Sequence, residues 1–366
     1  IETSKKDSCI LTSCDTICWL FNIRAQDLEY SPLIMAKSII HRDGSCFIFS
    51  DQKTLKNETL NSKIKIIYKP LHHFDSHFNE YKDSIGSYLC APNDTSFNVV
   101  MLIKEIGAKV IFKDNIVDIL KAKKNTTEEN GMRNAHIRDG VALTKFIYWI
   151  KNTKNNSQTE ISASNYLDKL RSKNENFFSL SFPTIAGSGP NGAIVHYRAS
   201  NKTNRKLKKD DLFLVDSGAQ YFDGTTDVTR TIAFSKVTYE QKKMYTLVLK
   251  GHIAVALSTF NEKESGKTLD RHARKFLKKE KLNFDHGTGH GVGSFLSVHE
   301  SPPNISKKND EIILSNLNVD DIDIVKFNSY LQKRLNRQPI AKIIKNKPFW
   351  KNDFYVNNFV LDPRPE

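Results

Sequence analysis

The chain has 366 residues, 39% of them hydrophobic and 26% charged, with a formal net charge of +14 and a pI near 9.3. That length gives two or three ordinary domains and a core large enough to need no disulfide or structural metal. No apolar run approaches the roughly 20 residues of a membrane span, and polar Ile1–Asp7 does not read as a secretory signal. The start at Ile1 rather than Met suggests a fragment. Basic residues are scattered, with Lys206, Lys208 and Lys209 beside Asp210 and Asp211. The charge therefore reads as a dispersed solubilising surface, and no specific nucleic-acid partner or membrane contact is expected. Cys9, Cys14, Cys18, Cys46 and Cys90 match no zinc spacing and read as reduced thiols of a cytoplasmic protein.

Three zones follow in chain order. Residues 1–125 form an α/β unit. Cys46–Ser50 reads as a buried strand, Lys63–Tyr68 alternates with a period of two, Ile106–Phe112 reads as a further strand, and Ile116–Lys124 as a short helix. The second zone, about 128–316, opens with helical spacing at Leu143, Phe146, Ile147 and Ile150. A helix over Ala163–Ser172 starts at Ser162–Ser164. Strands are predicted over Ala193–Tyr197, Leu212–Ser217 and Val228–Phe234, and helices over Tyr239–Thr259 and Thr268–Leu282. The alternation predicts α+β, with a curved antiparallel sheet backed by helices. The third zone, 317–366, reads as a helix at Ile324–Leu335, then strand-like Pro339–Ile344 and Phe354–Leu361.

Chemistry concentrates in three segments. The apolar strand Leu212–Val215 ends in Asp216, and the chain turns at Asp223-Gly224, a hairpin signal. It returns with Thr225, Asp227 and Thr229 at the spacing of one strand face. Carboxylates brought together between apolar walls call for a counter-cation, whereas Asp223 reads as a solvated turn residue. The second segment is His286-Gly287-Thr288-Gly289-His290-Gly291-Val292-Gly293, followed by His299-Glu300. Its glycines disfavour a helix, so this is not a helical His-Glu-x-x-His zinc site. Imidazoles there suit metal ligation or proton transfer. The third, Ala186–Tyr197, is rich in glycine but lacks the Gly-Lys-Ser/Thr of a phosphate loop. It reads as a tight loop delivering His196.

These residues, in this order, resemble the pita-bread metallopeptidases. Val215–Gly218 with Tyr221–Arg230, Gly131–Gly140, and Ile17-Cys18-Trp19-Leu20-Phe21-Asn22-Ile23-Arg24 resemble the aminopeptidase P (Xaa-Pro aminopeptidase) family in particular. The resemblance covers roughly residues 1–315. It implies an α+β pita-bread peptidase domain over 128–316, preceded by a smaller creatinase-type α/β domain over 1–125. It implies two divalent cations, manganese in many members, held by five ligands. Asp216, Asp227 and His290 occupy three of those places. It also implies His286 as oxyanion stabiliser and His196 and His299 as substrate-holding and proton-moving groups. The substrate would be a peptide with proline second, losing its first residue to a metal-activated hydroxide, and a homodimer would be the expected assembly.

The family pattern continues with Asn-Glu-Pro-Gly-Tyr-Tyr and then Arg-Ile-Glu-Asn, whose glutamates complete the metal set. Neither occurs here; after Glu300 the only glutamates are Glu311 and Glu366. The peptidase domain is therefore expected to be incomplete, lacking its final strands, with metal binding and hydrolysis impaired. A catalytically inactive peptide- or protein-binding module is the alternative. Arg334–Ile344, Phe349-Trp350 and Val360–Glu366 resemble instead the leader region of the release-factor glutamine methyltransferase, which implies a relic fusion.

Overall fold

A computed structural model describes residues 6–53, 55–56, 58–60, 64–153, 158–260, 264–307, 329, 332–333, 346–349 and 352–355. By internal contacts the chain divides into Ile1–Glu311 and Ile312–Glu366.

The first part of the larger unit carries β1 (Lys6–Leu11), α1 (Cys14–Leu20), β2 (Ala36–His41), β3 (Ser45–Ser50), β4 (Glu58–Leu60), β5 (Ile64–Lys69), α2 (Phe74–Glu80), β6 (Ile85–Cys90), α3 (Phe97–Glu105), β7 (Lys109–Phe112) and α4 (Ile116–Ala122). The strands make one seven-stranded mixed sheet, ordered β4-β5-β3-β2-β1-β6-β7. Alternation along each strand sends neighbours to opposite faces. Phe47 and Phe49 of β3 join Phe74 and Phe78 of α2 and Val99 and Ile103 of α3 on one face. Cys46 and Ile48 join Ile17 and Cys18 of α1 on the other, where Leu296 from far along the chain completes the core. All five cysteines are free thiols, three of them buried. The predicted strand at Ile106–Phe112 is shorter, because Ile106 caps α3 and Gly107 turns at φ +71°.

The second part begins with α5 (Thr126–Asn152) and α6 (Glu160–Arg171). A capping box between Asn125 and Glu128 starts α5, well before the apolar spacing that begins at Leu143. Its early buried positions are Gly131, Ala135 and Asp139, too small or too polar to give an apolar stripe. Likewise α6 starts on a Thr159–Ser162 capping box, earlier than the predicted serines.

Then follow β8 (Phe177–Leu180), β9 (Ile185–Ser188), β10 (Leu212–Ser217), β11 (Ala219–Tyr221), β12 (Gly224–Thr225) and β13 (Val228–Ala233). Next come α7 (Tyr239–Ala256), α8 (Gly266–Lys279), β14 (Gly289–Gly291) and β15 (Glu300–Ile305). All these strand pairs are antiparallel, as expected, but among the described residues they form three ladders, β13-β10-β9, β12-β11-β8 and β14-β15, rather than one curved sheet. The break falls at Gly218. A Cβ there would collide with the Thr226 carbonyl and the Ser181 hydroxyl, so only glycine lets β10 pass into β11 at that approach. On the returning side Thr226 interrupts β12 and β13; its hydroxyl accepts from the Ala219 amide at 3.0 Å. Phe213 and Val215 of β10 are fully buried with Leu143 and Phe146 of α5 and Leu167 of α6. Each such side chain contributes about 1.5–3 kcal/mol.

Ala193–Tyr197, predicted as a strand, is not one. Gly189–Ala193 is a 3-10 turn with Pro190 in its first turn, Ile194 follows as a bend, and Val195 and His196 form a turn. Proline and the flanking glycines favour turns over a ladder.

In the smaller unit, β16 (Asn346–Phe349) and β17 (Asn352–Tyr355) pair as an antiparallel hairpin. Ser329, Gln332 and Lys333 are helical. The remainder of the predicted Ile324–Leu335 helix, the Pro339–Ile344 strand, the end of Phe354–Leu361 and the segments resembling a methyltransferase leader lie outside the described residues, apart from Phe349.

Candidate active site

The bend at Gly218 and Thr226 brings two acids together. Asp216 lies two residues before Gly218, and Asp227 directly follows Thr226. In the β10–β13 ladder Asp216 stands opposite Thr229, whose hydroxyl donates to Asp216 Oδ1 at 2.8 Å. Burial pushes the Asp216 carboxyl above the usual carboxylate range, and the negative charge of Asp227 pushes the same way. Asp227 sits in the gap between β12 and β13, so the strand face predicted to carry Thr225, Asp227 and Thr229 is broken. Thr225 instead turns into the core and donates to Gln220 Oε1 at 2.7 Å. Asp223, expected to be a solvated turn residue, is paired with Arg138 of α5.

His290 comes from β14. Its Nε2 faces Asp227 Oδ2 at 3.4 Å, while its Nδ1 donates to the Gly291 carbonyl at 2.7 Å. A neutral His290 therefore turns a lone pair toward a carboxylate oxygen. Two acceptors so placed call for a proton or a cation between them. Consistent with this, the Asp227 hydrogen bond raises the His290 pKa above its ordinary value.

His299 packs edge-on against His290, ring centroids 4.4 Å apart. Burial lowers its pKa, and His290 and His196 reinforce the shift. His196 thus acts electrostatically on both His299 and Asp216. It lies in the turn after the 3-10 segment, with a left-handed φ of +58° that non-glycine residues rarely adopt. His286 is placed differently. It is exposed; its Nδ1 donates to the adjacent Gly287 carbonyl at 2.7 Å and its ring tilts against Phe284 at 4.8 Å. Among the described residues no hydrogen bond or ring contact joins it to Asp216, Asp227 or His290.

The described donors do not fit a two-metal centre. Among the described residues no group of three or more His, Cys, Asp or Glu side chains is arranged to hold a metal ion. Asp227 and His290 offer two facing donors, with Asp216 bonded to Thr229 beside them.

Comparison with known proteins decides the ancestry of this arrangement. The family model "Metallopeptidase family M24" matches residues 130–319, and "Creatinase/Prolidase N-terminal domain" matches residues 1–128. The chain belongs to metallopeptidase family M24. Its order is the family's: a creatinase N-terminal domain followed by the α+β pita-bread domain that carries the acids and histidines above. Among M24 relatives, the probable Xaa-Pro aminopeptidase P of Paracoccidioides brasiliensis strain Pb03 is 39% identical over 324 residues, 84% of this chain and 52% of the relative. That of Pyricularia oryzae is 35% identical, with the same shares covered. The chain spans about half the length of the curated relatives it matches. The solved X-prolyl aminopeptidase of Caenorhabditis elegans, described as a cytosolic enzyme with a di-nuclear active site, superposes with a TM-score of 0.73 and 33% identity, covering 82% of this chain and 50% of that one. Pyrococcus furiosus prolidase shares the fold at a TM-score of 0.63 and 21% identity, over 83% of each chain.

Three buried charged residues near this site carry no signal in the sequence. Asp139 and Arg171 form a buried ion pair between α5 and α6, and Glu160 is a fully buried carboxylate at the start of α6. Charged residues on helices normally read as solvated, and only a capping pattern marked the neighbourhood of Glu160.

Proposed function

We propose that this chain binds peptides with proline second, as an Xaa-Pro aminopeptidase does, and that its removal of the first residue is impaired by a shortage of metal-ligating carboxylates. The gathering of Asp216, Asp227, His290, His299 and His196 around one bend carries this reading. In it, His299, whose ring packs against His290, is the group placed to pass a proton. His196 and His299 hold the peptide around its Xaa-Pro bond. Asp216, Asp227 and His290 are the residues toward which a divalent cation, manganese in the proposal, would be drawn. His286 is proposed as the oxyanion stabiliser only if peptide binding moves its loop.

The domain limits proposed are 1–125, 128–316 and 317–366. The proposed setting is the cytoplasm, with no membrane or specific nucleic-acid partner and with a homodimer as the assembly. No helix among the described residues is long and apolar enough to cross a membrane.

A second reading, a catalytically inactive peptide-binding module, is favoured by one observation: the described donors form no group of three. Calorimetric binding of the tripeptide Ala-Pro-Ala, with release of alanine followed with and without added manganese, separates the two. Binding with manganese-dependent release supports the enzyme, and binding without release supports the module. Neither binding nor release removes both.

A further inference from the structure

We infer that Glu160 is a positioning residue for His196: one buried carboxylate that pins both arms of the loop presenting the imidazole. The inference rests on the peptide-holding role proposed for His196.

Glu160 is the first residue of α6 and is 0% exposed. Before His196, its Oε1 accepts from the Ser188 amide at 2.8 Å and from Asn191 Nδ2 at 3.0 Å. After His196, its Oε2 accepts from the Tyr197 hydroxyl at 2.8 Å and from the Arg205 amide at 2.9 Å. Asn191 Nδ2 also reaches Oε2 at 3.2 Å and the Tyr197 oxygen at 2.8 Å, tying the two arms to each other. Hydrogen bonds to an ionised acceptor are the stronger kind, and a buried carboxylate needs such donors to stay charged.

Core packing does not do this work at the tip. Ile194 and Val195, the two residues before His196, are 44% and 55% exposed. His196 itself holds a left-handed backbone at φ +58°. Such a conformation persists where its surroundings over-determine it, and here the surroundings are the polar grip of Glu160 on Ser188, Asn191, Tyr197 and Arg205. Four donors converge on the two oxygens. Glu160→Gln would replace one acceptor oxygen with an N–H₂ group aimed at donors, breaking the grip at nearly constant volume. Tyr197→Phe removes one donor and keeps the buried ring.

The test uses the full chain with [13C]histidine labelling and calorimetric titration of Ala-Pro-Ala, on wild type, Glu160→Gln, Tyr197→Phe, His196→Ala and the Glu160→Gln/His196→Ala double variant. Positioning predicts that the His196 ring resonance moves in Glu160→Gln and, less, in Tyr197→Phe. It predicts about tenfold weaker peptide binding in Glu160→Gln, and no further loss when the same change is made in the His196→Ala background. A purely structural role would weaken the His196→Ala protein by the same factor again, and that additivity overturns the inference. So does an unmoved His196 resonance in both single variants. If Glu160→Gln fails to fold, Tyr197→Phe is judged by the same two criteria, with the Tyr197→Phe/His196→Ala double variant completing the cycle. If the wild type fails to bind Ala-Pro-Ala, the peptide reading falls, and the His196 resonance alone decides the role of Glu160.

Discussion

Arg171 grips Asp139 with two parallel hydrogen bonds, Nε to Oδ1 at 2.7 Å and Nη2 to Oδ2 at 2.8 Å, with both side chains essentially excluded from solvent. The Tyr221 hydroxyl donates to the same Asp139 Oδ1 at 2.8 Å, so this pair ties α5 and α6 to β11, directly behind the bend that carries the acids. Removing one partner leaves a buried charge without compensation. Arg171→Met should therefore destabilise the protein by about 3–5 kcal/mol. Replacing both, Asp139→Leu with Arg171→Met, should recover a large part of that loss. Urea unfolding of the three variants measures it.

Gly218→Ala should destabilise the protein by about 1–3 kcal/mol, because the new methyl meets the Thr226 carbonyl and the Ser181 hydroxyl. Asp216 and Asp227 flank that bend, so peptide binding should weaken as well. Gly140→Ala is the control, since a Cβ there meets nothing within 4 Å. Thermal melts and calorimetry of the two variants separate a steric effect from a general loss of glycine.

Acid should act through His77. This fully buried ring stacks on His41, with the two Nε2 atoms 3.1 Å apart, and faces Lys69, Glu80 and Tyr81; Ser8 bonds the far side of His41. Burial, then the charges of His41 and Lys69, lower its pKa from 6.5 to about 3. Between those values the unfolded chain binds a proton that the folded chain refuses, so stability falls as pH falls. The slope should approach about 1.4 kcal/mol per pH unit. His77→Gln should flatten it, as urea midpoints between pH 7 and pH 4 would reveal.

Glu300, beside His299, is buried and paired with Lys124. Lys124→Met should leave that carboxylate unpaired and cost about 3 kcal/mol or more. Glu300→Gln, which removes the charge along with the need for a partner, should cost less. Chemical denaturation of the two variants gives the order.

Much of the site could be read in the sequence. Leu212–Ser217 is legible as a strand because the apolar run Leu212–Val215 ends in Asp216, and Asp223-Gly224 marks a hairpin, although the turn itself falls at Phe222-Asp223 and Gly224 already belongs to β12. Ala193–Tyr197 misleads because Ile194 and Val195 are β-formers, yet Gly189, Pro190 and Gly192 direct the chain into turns. The first half of α5 was missed because its buried side is Gly131, Ala135 and Asp139. Glu160 and Arg171 were invisible for a different reason. Their partners lie 28 to 46 residues away in sequence, and no local pattern records a long-range polar contact.

The central proposal is that the site keeps histidines to hold a peptide and is short of the carboxylates for two metals. It is tested most directly by metal analysis of the manganese-loaded, dialysed protein together with the rate of alanine release from Ala-Pro-Ala. The account predicts less than stoichiometric manganese and slow or absent release, with the tripeptide still bound. Two tightly held manganese ions per chain, with rapid release, would contradict it.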